Sequence, residues 1–282
     1  MADESIRVPI DGDTSGFDQK VEGMKGTISA ASVAMGNLLS DMGKKALSAF
    51  GDMISSGDQF NQAINQMAAS TGATGAELEG LRDVVKDVYG NNFGESYDDA
   101  ANAVAEVSKQ TGLMGEELQK ATEGAFALGD TFGYEVNEST RAASALMNNF
   151  GISAEEAYNL IAVGAQNGAD QNGDLLDTLN EYSTQYAALG LSAEQFTQSL
   201  ISGAESGAFS IDKVGDAVKE FNIRCKDGSD STAEGFAMIG MNADDMAQRF
   251  AAGGDAAQEA FFQTVQALDS IADPVADRKS VV

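Results

Sequence analysis

The chain of 282 residues carries 44 acidic and 17 basic side chains, a formal net charge of −27, and neither Trp nor His. Such a surface repels phosphate backbones and anionic lipid headgroups, which argues against nucleic-acid binding and electrostatic membrane docking. Without His there is no ordinary general base, and the lone Cys225 excludes an internal disulfide.

Apolar residues make up 43% of the chain but aromatics only 7%, so the core must be built from Ala, Leu, Ile, Val and Met. These side chains let helices approach closely while each contact buries little area. Only Pro9 and Pro274 interrupt helix formation, whereas 31 glycines work against any single uninterrupted helix. Many short helices with defined stops are expected, an all-α fold. The acidity has two readings: solubility, or a surface that avoids sticking to DNA in a confined space. No stretch reaches ~18 consecutive apolar residues. Met1-Ala2-Asp3-Glu4 lacks the basic start and apolar run of a signal peptide, so synthesis in the cytoplasm is the default.

In residues 1–16, Ile6, Val8 and Ile10 alternate with Arg7 and Pro9, the pattern of a short edge strand, and a turn follows. Residues 17–57 are Gly/Ala-rich and helix-friendly, with Ile28, Val33, Leu38, Leu39, Met42, Leu47 and Phe50 forming a broad apolar surface. That surface asks for a partner, either another helix or, in an amphipathic reading, a membrane interface. Membrane contact is confined to residues 27–54 or to regions beyond this sequence.

Residues 58–276 read as tandem helical hairpins. Phe150-Gly151-Ile152-Ser153-Ala154-Glu155-Glu156 combines a helix stop with a helix start. Gly can take the left-handed conformation past a helix end, the next apolar residue packs back, and Ser153 with Glu156 forms a capping box. Leu189-Gly190-Leu191-Ser192-Ala193-Glu194-Gln195 repeats it in residue type. The junctions at Gly72, Gly112 and Gly240 are looser versions, with Met114 standing where the second of these would place its cap. These junctions follow one another at intervals of 40, 39, 39 and 50 residues, a period expected of a supersecondary repeat of about 40 residues.

After a helix at 59–70, the helix pairs expected are 76–89 with 97–109, 116–128 with 138–149, 154–164 with 174–189, and 193–203 with 211–221. The long last interval is assigned to a polar insertion at 224–231, after which 232–239 resumes helix. A final pair, 244–250 with 255–271, is expected to stop at Asp273-Pro274. Residues 277–282 pair Arg278 with Lys279 in a chain starved of bases and do not continue the pattern. They read as a non-native tail on an N-terminal fragment.

Chemistry is sparse. Asp11, Asp13, Ser15, Gly16 and Glu22 resemble a calcium loop, but Asp18 stands where a hydrophobic residue belongs; Asp170, Asn172, Asp174 and Glu181 do likewise, with Leu175 in place of the turn glycine. Both read as capped turns. The acid pairs Glu116-Glu117, Glu155-Glu156 and Asp244-Asp245 sit at helix starts, where negative charge suits the helix dipole. No catalytic residue, cofactor site or metal site is assigned, and the chain is read as a non-enzyme.

The strand and turn at 6–17, the Gly/Ala-rich helix and the repeated Gly-apolar-Ser-Ala-Glu junctions resemble the tape-measure proteins of long-tailed bacteriophages. The stretch from Asp174-Leu175-Leu176-Asp177 through Gly190-Leu191-Ser192-Ala193-Glu194 to Phe221-Asn222-Ile223-Arg224 is similar to their minor-tail core region. The resemblance implies a structural virion protein, made in the host cytoplasm and housed in the tail lumen. It would self-associate, engage tail-tube and tail-tip proteins and assembly chaperones, set tail length and leave ahead of DNA. Hydrolase residues known in longer members are not in this sequence. As one continuous helix the chain would span at most ~420 Å, yet its junctions stop helices. The competing expectation is an acidic helical-repeat module that binds a protein partner and has no connection with virions.

Overall fold

Several helix ends are set locally along this chain, by hydroxyl or amide caps at the starts and left-handed glycines at the stops. The structure, a computed structural model, describes residues 57–277, with side chains described through residue 268. The expected strand at 6–10, the apolar segment up to residue 56 and residues 278–282 lie outside the described residues. Within them the regular elements are all α-helices: α1 (Gly57–Thr71), α2 (Gly75–Gly90), α3 (Tyr97–Thr111), α4 (Gly115–Phe132), α5 (Val136–Phe150), α6 (Ala154–Gln166), α7 (Leu175–Ala188), α8 (Ala193–Glu205), α9 (Ile211–Arg224), α10 (Asp230–Met238), α11 (Ala243–Ala252) and α12 (Gly254–Asp277). The fold is all-α.

Among the described residues, side-chain caps account for five of the starts. Ser153 Oγ accepts the Glu156 N–H while Glu156 accepts the Ser153 N–H, and Ser192 with Gln195 does the same, so both capping boxes form. Ser96, Ser229 and Asn242 cap α3, α10 and α11 in the simpler one-way manner. Thr74, Met114, Glu135, Asp174 and Ser210 precede α2, α4, α5, α7 and α9 with no side-chain cap bond.

The stops are of two kinds. Gly151, at φ +69°, sends its N–H to Met147 O at 2.9 Å, a single bond that leaves Ile152 only half-buried. Gly190, at φ +72°, bonds to Ala187 O while Leu191 N–H reaches Tyr186 O at 3.1 Å, the paired bonds of a Schellman motif. Leu191 is thereby drawn in and buried. Two junctions alike in residue type thus end their helices differently.

Packing sorts the helices into two rows. α1, α3, α5, α7 and α9 lie successively side by side, and α2, α4, α6 and α8 form a second row against them. The middle of this array holds the tightest core. α6 is apolar on nearly every side and buries each residue from Ala157 to Gly164. Small residues make the approach possible: a methyl group on Gly164 would sit 3.1 Å from Leu175, the first residue of α7.

After α9 the rows end. α10 packs on α11, α11 on α12, and α12 turns back to touch α7. Two expectations need correction here. The polar insertion expected at 224–231 is shorter, because α9 runs to Arg224 and Ser229 already caps α10 at Asp230, leaving only 225–229 as loop. Nor does Pro274 stop the last helix, which continues to Asp277. A proline removes one N–H donor and crowds the preceding turn, a cost that a helix of 24 residues sustains near its end.

Candidate interaction surfaces

Acids placed at helix starts decorate both edges of the array. The turns entering the second row carry Glu77, Glu116 with Glu117, Glu155 with Glu156, and Glu194. Each acid lies in a first turn, where the helix dipole favours it. Glu116 is paired with Lys120 at 2.8 Å, and that bond holds its carboxyl below the usual range. Glu156 is held low by the N–H and hydroxyl of Ser153. Asp245 donates its backbone N–H to the Asn242 side chain, so the pair Asp244-Asp245 also belongs to a capped start. The acid pairs are parts of helix ends.

Between Arg141 and Lys213 there is no base, so α6, α7 and α8 present acids alone. Flanking bases reach inward instead. Arg141 on α5 meets Asp177 at 2.7 Å, and Lys219 on α9 meets Glu181 at 3.5 Å. These exposed pairs contribute little energy. They leave the middle of the array strongly negative.

On the opposite edge, successive loops are tied together. Tyr134 donates its phenol to Asp170 Oδ2 at 2.7 Å, and Asp170 Oδ1 accepts the Leu175 N–H at 3.0 Å. Burial, with the carboxylate it bonds, pushes the Tyr134 phenol well above its ordinary range. Asn172 donates to Phe209 O at 2.9 Å, and Glu181 faces Lys219. Asp170, Asn172 and Glu181 are therefore spread over separate bonds to different elements, while Asp174 Oδ1 is buried without a hydrogen-bond partner. Among the described residues no group of three or more His, Cys, Asp or Glu is arranged to hold a metal ion. The loop at Asp11–Glu22 lies outside the described residues.

A polar ladder runs along the first row, and sequence reasoning missed it. Ser144 on α5 donates to Gln110 O on α3 at 2.9 Å, and Asn149 donates to Ser183 on α7 at 2.8 Å. Asn222 on α9 donates to Gln185 at 2.7 Å and accepts from Lys226, while Tyr182 donates to Asp212. Each rung joins residues about one helix pair apart. The sequence signal was a recurrence of small polar residues near the ends of first-row helices. Cys225 donates to Asn222 O beside the last rung, and burial pushes its thiol up to about 11. It is an inert, packed thiol.

The array thus offers acidic edges and a bonded scaffold, and the family comparison gives it a context. The family model of phage-related minor tail proteins matches residues 88–281, from the last turn of α2 onward. The chain belongs to that family. It is also 30% identical over 160 residues to a probable tape measure protein of Streptomyces phage phiC31, an alignment covering 57% of this chain and 22% of the phage protein. This member of the minor tail family therefore spans about a fifth of that relative's length. No solved structure matches it. A structural role in a phage tail is what both matches support.

Proposed function

We propose that this chain is the helical-array segment of a tape measure, which sets tail length, aids tail assembly and leaves the tail lumen ahead of DNA. The single observation that carries this reading is the 160-residue alignment with a probable tape measure protein, inside a match to the minor tail family. Its partners on this reading are further copies of itself, tail-tube and tail-tip proteins and assembly chaperones, and it performs no chemistry of its own. The negative surface over α6–α8 suits a protein that shares a channel with DNA without binding it. We further read α1–α9 as hairpin repeats of about 40 residues, an inference supported by second-row helices that start at residues 75, 115, 154 and 193.

The ruler reading is tested by deleting residues 154–192 in frame from the complete phage gene. Removing 39 residues of extended helix should shorten tails by ~60 Å in electron micrographs. Tails of unchanged length would overturn it. A second reading, an acidic array that docks on a protein partner unconnected with virions, draws on the two-row packing itself. That outcome would favour it.

A further inference from the structure

The turn between α11 and α12 lies directly on the turn between α7 and α8. A methyl group added at Gly190 would fall on the Gly254 carbonyl, so the two backbones meet with no side chain between them. Gln258, in the first turns of α12, donates to Gly190 O at 3.0 Å and to Gln195 Oε1 at 3.1 Å. Gln195 is the residue that closes the capping box of α8. A second point of attachment is aromatic: the ring of Phe221 on α9 meets Phe250 on α11 at 5.3 Å and Phe261 on α12 at 5.6 Å, both edge-on.

The connection leading to this hairpin is weak. α10 has nine residues and buries only Phe236. Left-handed glycines stand on both sides of it, Gly228 and Gly240, and Met238 is 80% exposed. From residue 225 to 268 only seven residues are buried: Cys225, Phe236, Met246, Phe250, Ala257, Ala260 and Thr264. α6 alone buries eight. Local opening is cheapest where few apolar groups are buried.

We propose that α11–α12 is a detachable clasp on the end of the array, closed by the Gly190–Gly254–Gln258 contact and the Phe221 cluster, with α10 as its hinge. It opens without unfolding α3–α8. Opening frees the capped start of α8 and the Phe221 face of α9. The proposal does not depend on the tape-measure reading.

Hydrogen exchange followed by mass spectrometry on the full chain tests it. α11, at 10 residues, is too short to hold as an isolated helix once undocked, so its amides report opening. In the wild type, amides of α11 should exchange at least ~tenfold faster than those of α4–α7. Gln258→Ala should speed α11 and the start of α12 further while leaving α4–α7 unchanged, and Gly190→Ala, which also strains the left-handed stop of α7, should speed α11 more strongly while leaving α4–α6 unchanged. Equal protection of α11 and α4–α7 in the wild type would overturn the clasp, as would a Gln258→Ala variant that exchanges faster throughout. Should Gly190→Ala fail to fold, the wild-type and Gln258→Ala profiles decide.

Discussion

The array from α3 to α8 and the C-terminal part from α10 to α12 use the same punctuation and reach different ends. Gly151 and Gly240 both follow a helix with a left-handed residue, and Ser153 and Asn242 both cap the next one. From α3 to α7, every helix has a neighbour one pair earlier and one pair later, and buried side chains such as Leu160, Leu179 and Phe196 line this packed region. In the C-terminal part the rows have ended, and the same kind of helix hangs on a few contacts. Local signals make helices in both regions; lateral neighbours make only one of them a core.

The strongest test of this contrast is truncation of a buried ring in each region. Phe196 is fully buried and stacks on Tyr186 at 4.0 Å, so Phe196→Ala should cost ~3–5 kcal/mol in urea unfolding. Phe236→Ala on α10 should cost well under half of that, because its surroundings can collapse. Equal losses would erase the distinction.

Glycine substitutions should go in opposite directions. A methyl group at Gly215 on α9 would run into the Tyr182 ring, so Gly215→Ala should destabilise by ~1–3 kcal/mol despite its better helix propensity. Gly235 on α10 has open space around it, so Gly235→Ala should stabilise by ~0.5–1 kcal/mol. Thermal melts of the two variants would check both signs.

A smaller effect concerns the cap of α6. Ser153→Ala removes the hydroxyl of a complete box and should cost ~1 kcal/mol in the same melts. The bond also gives a pH dependence. Because the folded Glu156 carboxyl is held below its ordinary value of 4.5, its contribution is present above that value. It fades as pH falls through the lowered folded value. Glu156→Gln should flatten that part of the stability profile, measured by denaturant titration in acid.

The smallest expected effects lie on the surface. Arg141→Ala breaks the exposed pair with Asp177 and should shift stability by less than ~1 kcal/mol. Millimolar calcium should leave the melting temperature unchanged, since Asp170 and Asn172 are already engaged with Tyr134, Leu175 and Phe209.

Much of the helix pattern was legible because its causes are short-range. Ser153 with Glu156, and Ser192 with Gln195, act across three residues, and a glycine stop acts across four or five. The rungs of the polar ladder were not legible. Ser144 and Gln110 are ordinary surface-type residues until α3 and α5 are laid side by side. The tertiary contact that sets Gly190 apart from Gly151 was hidden for the same reason. Nothing lies within 4 Å of a methyl group at Gly151, whereas Gly254 lies over Gly190 from 64 residues further along the chain.

By itself the sequence determined that this is an acidic, all-α chain cut into short helices at glycine junctions. Those properties follow from composition and from interactions within one or two turns. Only the tertiary structure decided which helices share a row, where the rows stop, and that α12 passes Pro274 while α11–α12 folds back onto the α7–α8 turn. Those outcomes depend on contacts between residues tens of positions apart, and no local pattern encodes them.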